Sequence, residues 1–163
     1  MTGRGILVYG SLLHESTLST TLSPATVADA IPVEVHGYRR RFDKASAHRE
    51  GSDGETAILN VAPEPGQWLN AVLVPDVPDD EFAEYREREY RYELVDVPPS
   101  DVLPYDPADA TTVERLDERL IATSEGGLDD PEPIPYYAAE CIDGARGWGE
   151  AFLADFLVTT DLV

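Results

Sequence analysis

The chain has 163 residues, of which 12 are basic, 32 are acidic and 42% are apolar, giving a formal net charge of −20. A chain so negative repels a phosphate backbone, which excludes nucleic acid as a partner. Its apolar content sets it among folded proteins, and its length suits one core, so residues 1–163 are read as a single domain.

Lys44 is the only lysine beside eleven arginines, and the acids are scattered along the chain. The pattern reads as adaptation to concentrated salt, where the Debye length falls to about 3 Å and self-repulsion is screened; the alternatives are an ordinary acidic protein and a nucleic-acid mimic. A single cysteine, Cys141, rules out an intrachain disulfide and any CxxC site. No apolar run approaches the ~18 residues of a membrane span or the core of a signal peptide, so the reading is a cytoplasmic protein with no membrane partner.

In chain order, Ile6-Leu7-Val8-Tyr9 between Gly5 and Gly10 reads as a buried strand feeding a tight loop. A strand is predicted over Ile31 to Phe42. Thr56 to Val61 and Gln67 to Val74 flank Pro63-Glu64-Pro65-Gly66 and are predicted to pair as an antiparallel hairpin. Pro78-Asp79-Asp80-Glu81 opens a helix on which Phe82, Tyr85 and Glu89 share a face. Alternation from Tyr90 to Val97 predicts a strand that Pro98-Pro99 ends. Residues 98–135, rich in proline and acids, carry only weak signals: a helix through Val113-Leu116-Leu120 and a strand at Leu120 to Thr123. From Pro135 the spacing is helical, and Gly144, Gly147 and Gly149 divide it into two helices.

Tyr9-Gly10-Ser11-Leu12-Leu13 is the first candidate for chemistry. Glycine permits a sharp turn beyond which successive N–H groups can converge on a carboxylate or phosphate. The segment lacks the lysine of a phosphate loop and the GxSxG frame of a hydrolase. The second candidate is Glu87, at a helix end running into an aromatic strand, where burial against Tyr85, Tyr90 or Tyr92 would raise its pKa into the range useful for proton transfer; Glu89 competes with it. His14, His36 and His48 show no ligand spacing, and the acid-rich stretches 76–81 and 129–132 lack the spacing of an EF-hand, so no metal is predicted. Of Arg39-Arg40-Arg41, alternation puts at most two on one face, for surface ion pairs or a substrate carboxylate.

Val8-Tyr9-Gly10-Ser11-Leu12, Gly37-Tyr38-Arg39-Arg40-Arg41-Phe42, Arg86-Glu87 with Tyr90 close behind, and Tyr137 seven residues before Gly144-Ala145 follow one another in an ordered set. In this order the chain resembles the gamma-glutamyl cyclotransferase-like family from about residue 5 to residue 160. The resemblance implies an α+β fold, a small mixed sheet closing towards a barrel with helices around it. It also implies a reaction in which the α-amine of a γ-glutamyl group attacks its own γ-carbonyl, releasing an amine and 5-oxoproline. Tyr9, Gly10, Ser11 and Leu12 would bind the glutamyl moiety, Glu87 would match the catalytic glutamate, and Tyr90 and Tyr137 would line the pocket. A register shifted by two puts Glu89 in place of Glu87. The implied partner is a small γ-glutamyl compound acted on without a cofactor by a monomer or homodimer. The alternatives are a non-catalytic binding protein for a glutamyl-type metabolite and a different small-molecule reaction in the same pocket.

Overall fold

Ile6, Leu7 and Val8 form an unbroken apolar run because the strand carrying them has a neighbour on each side and is covered on both faces, leaving at most 3% of any of the three exposed. The computed structural model describes residues 2–45, 56–124, 132–133 and 135–161. Among these the elements run β1 (Arg4–Val8), α1 (Glu15–Leu18), α2 (Pro24–Val27), β2 (Ile31–Ala45), β3 (Thr56–Val74), α3 (Asp79–Arg88), β4 (Glu93–Asp96), β5 (Val102–Pro104), α4 (Ala110–Arg115), β6 (Glu118–Thr123), β7 (Glu132–Pro133), α5 (Pro135–Gly147), α6 (Glu150–Val158) and β8 (Thr160–Asp161). The sheet order is β4-β6-β1-β3-β2-β5, with β7 added to β3 and β8 to β2. It is mixed, since β1 runs parallel to β6 and antiparallel to β3, and it curls into a half-barrel accompanied by six helices, the α+β architecture expected.

The predicted hairpin within 56–74 does not form. β3 runs through Pro63-Glu64-Pro65-Gly66 as one strand and pairs along its length with β2, from Ile31↔Leu73 to Ala45↔Ala57. The register jumps between His36↔Trp68 and Tyr38↔Pro63, so Glu64 to Gln67 bulge out opposite Gly37. Two prolines lack the N–H groups a ladder needs, and a bulge removes that demand without reversing the chain. Gly37 and Gly66 take φ of 93° and 85° there, a region glycine enters freely.

Pro78 precedes α3, whose first turn holds Asp79, Asp80 and Glu81 and whose last holds Arg86 and Arg88, both complementing the helix dipole. Tyr85 is its one fully buried residue. The strand expected from Tyr90 starts later, at Glu93, because Tyr92 N–H bonds back to Glu89 O at 2.9 Å and closes a turn. The weakly signalled residues 118–123 become β6, inserted between β1 and β4. On α5, buried Tyr137, Cys141, Gly144 and Ala145 follow the helical period, and Gly149 at φ 112° separates it from α6, which buries Phe152 and Phe156.

Candidate functional site

β1 delivers its chain into a turn whose backbone is fixed from below. Tyr9 O accepts from Arg40 Nη1 at 2.9 Å, and Arg40 is fully buried. The remaining guanidinium donors reach Asn70 O (2.8 Å), Asn70 Oδ1 (2.6 Å), Thr159 Oγ1 (2.9 Å) and Thr160 Oγ1 (2.8 Å), and the group stacks 4.0 Å over the Phe156 ring. All five N–H groups are thereby satisfied without a carboxylate. Burial lowers the Arg40 pKa to about 9, which leaves it charged at neutral pH.

Beyond Tyr9, Ser11–Leu13 make one 3-10 turn, closed by Leu13 N–H to Gly10 O (3.0 Å) and His14 N–H to Ser11 O (3.1 Å). Among the described residues the N–H groups of Gly10, Ser11 and Leu12 donate to no backbone carbonyl. A Cβ on Gly10 would lie 3.1 Å from Tyr137 Oη, so glycine lets α5 bring that hydroxyl onto the turn.

Four tyrosines surround this point. Tyr9 Oη donates to Ala122 O at 2.7 Å, Tyr92 Oη donates to Leu59 O at 2.6 Å, and Tyr137 Oη accepts from Leu59 N–H at 3.3 Å. Tyr85 is 1% exposed. Burial raises the Tyr9 and Tyr137 phenols well above their ordinary value, which keeps them neutral. Glu89 belongs to this group: its charge acts on both Tyr9 and Tyr85, and its side chain is 17% exposed. Burial raises the Glu89 carboxyl, partly offset by the neighbouring Arg88.

Glu87 is not brought to this cluster. It is exposed on α3. A step of 100° per residue turns it about 200° from Tyr85, whereas Glu89, four residues on, returns to the Tyr85 face. Tyr90 is likewise 62% exposed in the turn after α3. Glu87, Glu89, Tyr90 and Tyr92 border an open cavity of about 870 Å³ beside α3, β4 and β6, and Glu89 thus stands between that cavity and the tyrosine cluster. Of the other candidate residues, Tyr9 to Leu12 are consecutive in the turn after β1, and Tyr137 Oη lies against Gly10 of that turn.

The sequence marks Arg40 only as one of the run Arg39-Arg40-Arg41 and Tyr85 only as an apolar neighbour on the face of α3, and it gives Arg88 no site role. Arg39 and Arg41 do pair at the surface with Asp161 (2.7 and 3.3 Å), and alternation sends the middle arginine inward, in phase with Phe42. His14 caps α1 through Nδ1, and His36 stacks on Trp68 beside Glu34; His48 and residues 125–131 lie outside the described residues. Among the described residues no three His, Cys, Asp or Glu side chains converge as a metal site, and no helix is long and apolar enough to cross a membrane.

No family model and no curated protein matches the sequence. Solved structures do. YkqA from Bacillus subtilis aligns with a TM-score of 0.67 at 16% identity, over 94% of this chain and 52% of its own length. A gamma-glutamyl cyclotransferase aligns at 0.64 and 13% identity, over 96% of this chain and 88% of its own. An uncharacterized protein from Homo sapiens aligns at 0.61 and 12% identity over the same shares. The chain thus spans about half of YkqA and most of the other two, and at such identities the likeness is one of fold.

Proposed function

We propose, from the gamma-glutamyl cyclotransferase-like fold of this chain, that it cyclises a γ-glutamyl compound to 5-oxoproline with Glu89 as the proton carrier. The observation that carries the reading is a buried Glu89 carboxyl, raised by that burial, one tyrosine cluster away from a turn whose N–H groups donate to no backbone carbonyl among the described residues. The substrate amine is an ammonium at neutral pH. Glu89 takes its proton, the freed nitrogen attacks the γ-carbonyl carbon, and the bond to the departing nitrogen breaks as Glu89 returns the proton to it. The second proton of the attacking nitrogen follows, so the amine leaves as an ammonium and the ring keeps one N–H. The turn at Tyr9 to Leu12 holds the α-carboxylate. The rest of the task is to hold a folded conformer of the substrate in reach of itself, an orientation effect of several kcal/mol.

In this reading Glu87, exposed on α3, takes no part in the proton transfer. The test is 5-oxoproline release from a panel of γ-glutamyl dipeptides, glutathione and γ-glutamylamines in molar KCl. Glu89→Gln is expected to lower turnover by roughly 10²–10⁴-fold and Glu87→Gln to stay within about 2-fold of wild type. Loss of activity in the Glu87 variant alone would return the role to that residue.

A further inference from the structure

Arg88, in the last turn of α3, sits where a basic residue commonly complements a helix dipole, yet it does not turn to its own helix carbonyls. Its Nη2 reaches Ser11 Oγ at 3.1 Å, 77 residues away in the turn after β1. Among the described residues its Nε is buried without a hydrogen-bond partner, and the nearest carboxylate, Glu89 Oε1, stands at 3.7 Å, beyond hydrogen-bond reach. Among the described residues Arg41 Nε is the only other buried side-chain nitrogen or oxygen in that state, and Arg41 already holds Glu64 at 2.7 Å and Asp161 at 3.3 Å. Among the described residues Arg88 has no carboxylate within hydrogen-bond reach. A guanidinium presents a planar fork suited to two oxygens of a carboxylate, and this one opens onto the same turn whose N–H groups are unclaimed by backbone carbonyls.

We propose that Arg88 is the residue that makes the site demand an α-carboxylate, so that consecutive Arg88 and Glu89 together read the zwitterionic head of an α-amino acid. This rests on the cyclotransferase reading and adds to it a specificity residue. A carboxylate and an ammonium borne on one carbon are complementary to an adjacent guanidinium and carboxylate. The carboxylate bridges Arg88 and the turn N–H groups, and the ammonium faces Glu89, the group that must take its proton. A γ-aminobutyryl compound, which keeps the amine and lacks the carboxylate, can satisfy only half of this arrangement.

The test uses two non-reacting probes that differ in that carboxylate alone, 5-oxoproline and 2-pyrrolidinone, titrated calorimetrically in 0.5 M KCl. Wild-type protein is expected to bind 5-oxoproline at least about 10-fold more tightly. Arg88→Gln should erase the difference by weakening 5-oxoproline while leaving 2-pyrrolidinone unchanged, and Arg88→Lys should restore part of it, melting curves confirming that both variants fold. Equal weakening of both probes, or a preference for 5-oxoproline that survives in Arg88→Gln, would overturn the proposal, as would no binding of 5-oxoproline to wild type. The two readings fail separately. Release of 5-oxoproline from γ-glutamyl substrates with kcat/KM unchanged in Arg88→Gln leaves the cyclotransferase standing and removes this role. Arg88-dependent binding without any release keeps the anion site and removes the cyclotransferase.

Discussion

In the proposed chemistry Glu89 exchanges a proton while largely withdrawn from water, and its burial has a stability consequence at the scale of the residue. Its folded pKa lies above the ordinary 4.5 because burial penalises the ionised form. The sign follows by linkage: the contribution is fully present below the unfolded pKa and is lost as pH rises through the raised folded value. Glu89→Gln, uncharged at every pH, should therefore melt above wild type at pH 7–8, with the gap closing towards pH 4. Thermal melts across that range check it; a Gln variant that is less stable at pH 8 would mean the carboxylate is better solvated than its burial indicates. Arg40 is the opposite case, a buried charge whose five donors are all answered. Arg40→Met should remove about 2–4 kcal/mol, because acceptors such as Tyr9 O and Asn70 Oδ1 lose their donor at roughly 1–3 kcal/mol each. Chemical denaturation measures the loss, and a change under 1 kcal/mol would count against Arg40 as the anchor of the turn.

At the scale of the element, α5 and the turn after β1 depend on one close approach. A Cβ on Gly144 would come within 2.4 Å of His14 N and 2.7 Å of Leu13 C, both backbone atoms that cannot step aside. Gly144→Ala should cost about 1–3 kcal/mol by overpacking. It should also lift α5, carrying Tyr137 away from Gly10 and, under the proposed function, raising KM for the γ-glutamyl substrate; wild-type stability in this variant would disprove the contact. Much of this arrangement was legible in sequence, because β1, its turn and the α5 face are each marked by an unbroken apolar run or a helical period. The place of Glu89 on the buried face of α3 was legible too, since it shares that face with Phe82 and Tyr85, whereas the family resemblance pointed first to Glu87. The hairpin was misread because two prolines and a glycine signal a chain reversal and a bulge alike, and only the partner strand β2, with Gly37 opposite, decides between them. β6 was obscured because the surrounding prolines lie between elements and mask a strand whose burial comes from β1 and β4. Arg88 carried no local signal, since its partner Ser11 is 77 residues away.

For the whole molecule, the balance of 12 basic against 32 acidic residues decides how stability responds to salt. Several arginines already meet carboxylates at the surface, among them Arg4 with Asp79 (2.9 Å), Arg115 with Asp76 (2.6 Å) and Arg39 with Asp161 (2.7 Å). Others are turned inward: Arg40 is 0% exposed and Arg119 is 4% exposed, the latter bonded to the carbonyls of Val97, Val113 and Leu116. Few cations are left to face the excess of carboxylates. Salt acts on both populations, weakening surface pairs worth at most about 1 kcal/mol each and screening a repulsion summed over every acid–acid distance. With acids in such excess the second effect dominates, so the melting temperature should rise from 0.1 to 2 M KCl by an amount on the order of 5 °C, equivalent to about 1–2.5 kcal/mol in a chain of this size. Repeating the series at pH 4, where ordinary carboxylates are partly protonated, separates screening from a general salt effect on apolar burial: the slope should shrink with the charge. A melting temperature that is flat or falling with salt at pH 7, or a slope undiminished at pH 4, would show that self-repulsion does not limit this fold and would remove the case for adaptation to salt.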